Sequence, residues 1–220
     1  MIEVVRMVVG EFLTCSYLVR AKGSRKALVI DPGAEGERIL GEIARRELEV
    51  ETVLNTHGHV DHIGANEAIK KAFPEAELVI GEGDGPMLSS AIRNLSALFL
   101  RRVKSPAADR ALREGDEVTV GGAKGEVLET PGHTTGGISL YFSAQESGGA
   151  PVVFSGDALF QMGVGRTDFP GGNMDVLVRS VREKLFSLPG ETIVYPGHGE
   201  PTLVGEEARS NPFAALPTRG

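Results

Sequence analysis

Four short runs of β-forming residues each lead, within a few positions, into a loop that carries histidine or aspartate. Val53-Leu54 precedes Thr56-His57-Gly58-His59-Val60-Asp61-His62, and Val127-Leu128 precedes Pro131-Gly132-His133. Val152-Val153-Phe154 precedes Ser155-Gly156-Asp157, and Ile193-Val194-Tyr195 precedes Pro196-Gly197-His198. These loops hold all 5 histidines of the chain. If the strands leave their sheets at one edge, the loops converge there, and convergent loops at strand ends are where binding sites are built.

The remaining chain supplies sheets and covering helices. Runs 3–9, 14–20 and 26–30 are rich in Val, Ile and Tyr with turn signals between them, and read as strands. Helices are predicted over 36–47, 63–73 and, as one or two pieces, 86–104; a last long helix runs over 173–188 with Asn173 as its N-cap. Further strands fall at 78–80, 118–120, 125–128, 138–142 and 192–195. The 29 glycines among 220 residues suit tight turns and close backbone approaches rather than a long-helix bundle. Without repeats or a long linker, 1–220 reads as a single α/β domain with stacked sheets and helices outside.

A formal charge of −7 with scattered Lys and Arg argues against a nucleic-acid partner, which needs a basic face. No apolar run approaches the ~18 residues of a membrane span, and the first residues lack the features of a secretory signal. The single cysteine, Cys15, excludes an internal disulfide framework and reads as a buried strand thiol. The expectation is a cytoplasmic protein without membrane or nucleic-acid partners.

Imidazole and carboxylate together are ligands for divalent zinc, iron or manganese, and the lack of cysteine among them disfavours a structural thiolate site. His57, His59, Asp61 and His62 are too many donors for one ion. Alternation along an extended loop would turn His57 and His59 one way and Asp61 and His62 another. Two ions are then natural, with Asp157 as the bridging carboxylate. A lone Pro-Gly-His is commonly just a turn; every histidine falling at a matching strand end is not.

The segment 56–62 with Gly64, then His133, Asp157 and His198, resembles the H-x-H-x-D-H…H…D…H signature of the metallo-β-lactamase superfamily. That resemblance implies an αββα four-layer sandwich of two mixed sheets flanked by helices. It also implies that His57, His59 and His133 hold one metal, that Asp61, His62 and His198 hold a second, and that Asp157 bridges them. Zinc is the first expectation for both ions, with iron or manganese as alternatives. The segment 163–172 and the ending Tyr195-Pro196-Gly197-His198-Gly199 through Asn211-Pro212-Phe213 look like the short, glyoxalase II-like branch of hydroxyacylglutathione hydrolase-related proteins. Hydrolysis of a small-molecule thioester of the S-lactoylglutathione type is the implied activity, with Asp61 as the catalytic side chain. The helical C-terminal domain of full-length glyoxalase II enzymes has no counterpart after His198, which puts glutathione dependence in doubt.

The same signature admits rivals. Persulfide dioxygenases use His57-, His133- and Asp157-type ligands around one iron; β-lactamases, tRNA-processing nucleases and a non-catalytic metal or redox sensor fit the sequence less well. Arg166 and Phe169 are the candidate substrate contacts, with an Arg166–Asp168 ion pair as an equal alternative. Arg101, Arg102 and Lys104 read as a solvated helix end, and the apolar face of 88–99 as core or a homodimer contact.

Overall fold

The computed structural model describes residues 1–100 and 102–216. The antiparallel strands β1 (Ile2–Val9), β2 (Thr14–Ala21) and β3 (Lys26–Ile30) open a six-stranded sheet. After helix α1 (Gly36–Arg45), the sheet continues with β4 (Glu49–Asn55), then β5 (Glu77–Gly81) and β6 (Arg110–Leu112), each parallel to its neighbour. Between β4 and β5 lie α2 (Val60–Ile63) and α3 (Asn66–Ala72).

A second six-stranded sheet follows: β7 (Glu117–Val120), β8 (Ala123–Glu129), β9 (Ile138–Phe142), β10 (Val152–Gly156), β11 (Ile193–Pro196) and β12 (Thr202–Leu203), neighbours in that order. All pairs in it are antiparallel except β10 and β11. The one-turn α4 (Ala144–Ser147) joins β9 to β10, while α5 (Met174–Ser180) and α6 (Val204–Ser210) flank the sheet.

Three apolar clusters make the layers. Tyr17, Leu28, Ile30 and Leu54 of the first sheet meet Val127, Leu140, Phe142 and Phe154 of the second. The opposite face of the first sheet, with Val29, Val53 and Leu78, packs on Ile39, Ile43 and Ile69 of the helices. Val153 and Val194 pack on Leu177, Val181, Leu185 and Val204. Strands buried on both faces read as continuous apolar runs, as Ala27-Leu28-Val29-Ile30 does. The architecture is the expected αββα sandwich.

Strand direction decides where the loops emerge. β10 and β11 are parallel, so Asp157 and His198 follow strand ends at the same edge. β8 and β10 are both antiparallel to β9, so His133 follows a strand end there too. The end of β4 is tied to that edge by the Ile138 N–H, which donates to the Thr56 carbonyl at 2.9 Å. The buried Tyr17 hydroxyl donates to Pro196 O at 2.6 Å, and the Cys15 N–H to Gly197 O at 2.7 Å. Cys15 itself is buried in β2, as expected.

Three helix predictions need correction. The stretch 86–104 is not helical: it holds the end of a 3₁₀ turn over Glu82–Met87 and another over Ser96–Phe99. Asn94 donates its side-chain amide to Val103 O at 3.0 Å and accepts from Ser96 N–H at 3.0 Å, and Ser96 Oγ accepts from Val103 N–H at 3.2 Å. Those side chains capture backbone groups that a helix would use. Arg102 and Lys104 are therefore exposed loop residues, not a helix end, and Arg101 lies outside the described residues. The predicted helix 63–73 begins at Val60 but breaks after Ile63, where Ala65 N–H turns to Pro32 O at 2.8 Å. The predicted 173–188 helix is α5 followed by a π turn over Val181–Leu185, with Asn173 capping through a 3.1 Å bond from Val176 N–H.

Gly33 lies against α2 so closely that a Cβ there would stand 1.6 Å from the Asp61 carbonyl oxygen. Gly33→Ala must push α2 away from the loop that follows β3, and such overpacking costs about 3 kcal/mol, the upper end of the usual range. A thermal midpoint lowered by roughly 6–12 °C is expected, accompanied by loss of bound metal because Asp61 and His62 sit on the displaced turn. Wild-type melting with wild-type metal content would contradict this packing.

Candidate metal centre

The extended backbone of the loop ends at His59, which has φ −68° and ψ 151° and caps α2. Asp61 and His62 thus ride a helical turn, not an alternating extended loop, but the outcome is the same division of side chains into two groups. His57, His59 and His133 form one group, and Asp61, His62 and His198 another, with one ligand atom per residue lying within 4.8 Å of the others in its group. Asp157 stands between them. Its Oδ1 is 3.4 Å from His62 Nε2, while its Oδ2 is 3.5 Å from His133 Nε2 and 3.6 Å from His198 Nε2. The structure brings all seven predicted residues together.

Donor spacing fits a divalent ion. Four ligands about 2.1 Å from a tetrahedral centre lie about 3.4 Å from one another. His62 Nε2 is 3.4 Å from His198 Nε2 and 3.5 Å from Asp61 Oδ2, and His198 Nε2 is 3.2 Å from Asp61 Oδ2. In the other group His59 Nδ1 faces His133 Nε2 at 2.9 Å. His57 Nε2 and Asp157 Oδ1 are buried with no hydrogen-bond partner. Buried polar atoms are normally satisfied, and a cation is what would satisfy both.

The outer hydrogen bonds choose which nitrogen is offered. His133 Nδ1 lies 2.6 Å from Arg166 O, an acceptor, so it carries the proton and Nε2 is free. His62 Nδ1 lies 2.9 Å from Asp31 Oδ2. The Thr56 hydroxyl donates to the same Asp31 oxygen at 2.6 Å and accepts from His57 Nδ1 at 3.2 Å. Asp31 thereby orients a ligand in each group, the usual function of a carboxylate behind a metal-binding histidine.

Charge follows from the same contacts. Burial and the surrounding imidazoles hold His57 well below the ordinary histidine range, and burial with His133 lowers His59 to about 3, so both are neutral donors. Burial would lower His62 too, but Asp31, Asp61 and Asp157 outweigh it and raise His62 to about 10. Burial opposes ionisation of Asp61, yet His62 and His198 keep it ionised well below the usual range. His198 is raised, Asp61 and Asp157 outweighing its burial.

Sequence reading passed over two of these residues. Asp31 directly follows β3, the parallel neighbour of β4, so the strand-end rule that found His57 also pointed to Asp31-Pro32-Gly33. Asp84 is buried behind the loops: its Oδ2 accepts from Gly58 N–H at 3.0 Å and its Oδ1 from Gly136 N–H at 2.8 Å, locking the His57–His59 loop to the segment after His133. No local pattern in the sequence marks it.

Above the cluster lies a cavity of about 410 Å³ whose lining includes His59, Asp61, His133, Asp157 and His198. Arg166 and Phe169 line it as well. Arg166 is nevertheless paired with Asp168 through two bonds of 2.7 and 2.6 Å, with its guanidinium 4.0 Å from the Phe169 ring centre. Leu95 and Phe99 also form part of the wall, so the apolar face of 88–99 serves the site as well as the core.

An αββα sandwich that gathers imidazoles and carboxylates at one edge is the scaffold of a metal-dependent hydrolase. The chain belongs to the metallo-beta-lactamase superfamily, whose family model matches residues 9–198. It is 37% identical over 190 residues to the hydroxyacylglutathione hydrolase GloC of Haemophilus influenzae, covering 86% of this chain and 87% of the relative. Among solved structures, BLEG-1, a B3 metallo-beta-lactamase, superposes with a TM-score of 0.89 at 32% identity, covering 98% of this chain and 100% of the other. TTHA1623 in a di-iron-bound form gives 0.83 at 35% identity, covering 95% and 99%. ETHE1 from Myxococcus xanthus gives 0.77 at 35% identity, covering 97% and 84%. Among the described residues, no helix is long and apolar enough to cross a membrane.

Proposed function

We propose that this chain is a two-metal thioester hydrolase, with His57, His59 and His133 holding one ion, Asp61, His62 and His198 the other, and Asp157 touching both. The observation that carries this reading is that two complete donor sets stand side by side, the ligand atoms of each within 4.8 Å of one another, with Asp157 Oδ1 and Oδ2 3.4 and 3.5 Å from His62 and His133 Nε2. When bound, two divalent ions supply Lewis acidity toward the substrate carbonyl and bring the pKa of water toward neutrality. Zinc is the first candidate, and the di-iron relative makes iron the second.

The chain's own groups then have defined tasks. Asp61, held ionised by His62 and His198, accepts a hydrogen bond from the attacking water and so orients it, and the Thr14 hydroxyl, 3.2 Å from its Oδ2, fixes its rotamer. Water adds to the carbonyl carbon, the C–S bond breaks, and the products are a carboxylic acid and a thiol that takes up the proton. The aromatic wall limits access of bulk water to that step.

Asp157→Ala is expected to lower occupancy of both ions, whereas His198→Ala should take the protein from two ions to one. Equal metal content in wild type and both variants would contradict the ligand assignment. The function itself is tested by metal analysis of the purified protein, with hydrolysis of S-lactoylglutathione and other thioesters, β-lactam hydrolysis and oxygen uptake with glutathione persulfide measured side by side. Two ions with thioester cleavage support the reading. One iron with oxygen consumption overturns it in favour of the persulfide dioxygenase, a reading favoured by the likeness to ETHE1.

A further inference from the structure

The cavity over the cluster has a polar floor and aromatic sides. Phe160 stands edge-on to His198 with ring centres 6.0 Å apart, and Phe169 stands in the same way 6.0 Å from His59. Each candidate ligand group is thus flanked by one phenyl ring. Phe12, from the turn between β1 and β2, meets Phe99 edge to face at 4.9 Å, and both line the cavity. Val60, Leu95 and Val164 add aliphatic surface to the wall.

Charge in this wall is already spent. Apart from the candidate ligands, Arg166 is the one charged residue among the described residues that line the cavity. Asp168 takes its guanidinium in a two-bonded pair, and Phe169 covers one face of it. Among the described lining residues, the one cation that a peptide-like thiol arm with carboxylates and an ammonium could meet is Arg166, exposed at the rim and paired with Asp168. A charge carried past it to the phenyl rings would be unpaired there, which is strongly unfavourable. An apolar arm loses no polar contact and gains with each methylene it buries.

From this wall, and resting on the thioester reading above, we propose that the substrate is a thioester whose arm in this cavity is apolar, a medium-chain alkyl or an aryl group. The arm is attached either to the carbonyl carbon or to sulfur. Arg166, paired with Asp168, does not serve as a docking point for substrate carboxylates.

The test uses the full chain loaded with zinc and two series of substrates. In one, the thiol is N-acetylcysteamine and the acyl group runs from acetyl through butyryl and hexanoyl to benzoyl. In the other, the acyl group is acetyl and the thiol runs from ethanethiol to hexanethiol. In the series whose variable arm enters the cavity, kcat/KM should rise about two- to fourfold per methylene, and its longest member should exceed S-lactoylglutathione by about tenfold or more. Phe99→Ala and Phe160→Ala should each flatten that slope. Flat or falling slopes in both series, with S-lactoylglutathione the best substrate, would overturn the proposal while leaving thioester hydrolysis intact. If no thioester is cleaved, the hydrolase reading fails, and calorimetric binding of hexanoate against lactate decides the cavity's preference. Hexanoate binding tenfold tighter upholds an apolar arm; equal binding rejects it.

Discussion

Replacing His59 by alanine is expected to lower turnover by about a thousandfold while leaving the protein folded. The imidazole supplies one donor of its group through Nδ1, facing His133 Nε2, and its other ring contacts are to His57, His133 and Phe169. It therefore contributes to the cluster and the cavity rather than to the sandwich core. Removing it leaves two donors of three in that group, so the ion there is weakened and its share of transition-state stabilisation is lost; electrostatic groups of this kind are each worth about 10²–10³ in rate. Far-ultraviolet circular dichroism and melting should stay close to wild type while bound metal falls. Undiminished turnover with that variant would remove the cluster from the chemistry.

The second large effect comes from a residue that need touch no metal. Asp31 has φ +47°, a left-handed conformation that asparagine tolerates well, so Asp31→Asn preserves the backbone and changes only the chemistry. In the wild type its Oδ2 faces the Thr56 hydroxyl and His62 Nδ1, and Thr56 Oγ1 faces His57 Nδ1. An amide NH₂ at the Oδ2 position reverses this chain, because it donates where the carboxylate accepted. His62 Nδ1 must then be an acceptor, which leaves its proton on Nε2, the nitrogen turned toward the second group. The Thr56 hydroxyl, now free to donate, favours the same tautomer in His57. Outer-shell changes of this kind cost about 10–100-fold in metal affinity, and here one change reaches a ligand in each group. Both ions should weaken together, and nitrogen-15 spectra of the apoprotein should show His62, protonated on both nitrogens in the wild type, losing its Nδ1 proton in the variant. Metal affinity at the wild-type level, with His62 unchanged, would contradict the relay.

Legibility followed the range of the interactions. The strand–loop sequences around His57, His133, Asp157 and His198 were readable because a β-run and the loop after it are local, and a shared edge supplied the convergence. The resemblance added the sandwich. Asp31 was within reach of the same rule, but one aspartate after a strand is too common to single out without knowing that Thr56 and His62 pack behind it. Asp84 was out of reach, since its partners Gly58 and Gly136 lie far along the chain. The stretch 86–104 misled because Leu88, Ile92, Leu95 and Phe99 have helical spacing, yet Leu88 and Leu95 are buried while Ile92 is 80% exposed. Asn94 and Ser96 overrode that periodicity by taking the backbone groups of Val103 and of Ser96 itself.

Anomalous diffraction from crystals of the metal-loaded protein, collected on both sides of the zinc and iron absorption edges, addresses the seven-residue cluster most directly. Two peaks are predicted, one among His57, His59 and His133 and one among Asp61, His62 and His198, with the carboxylate of Asp157 between them. A single peak, or metal bound anywhere else on the chain, would contradict the assignment.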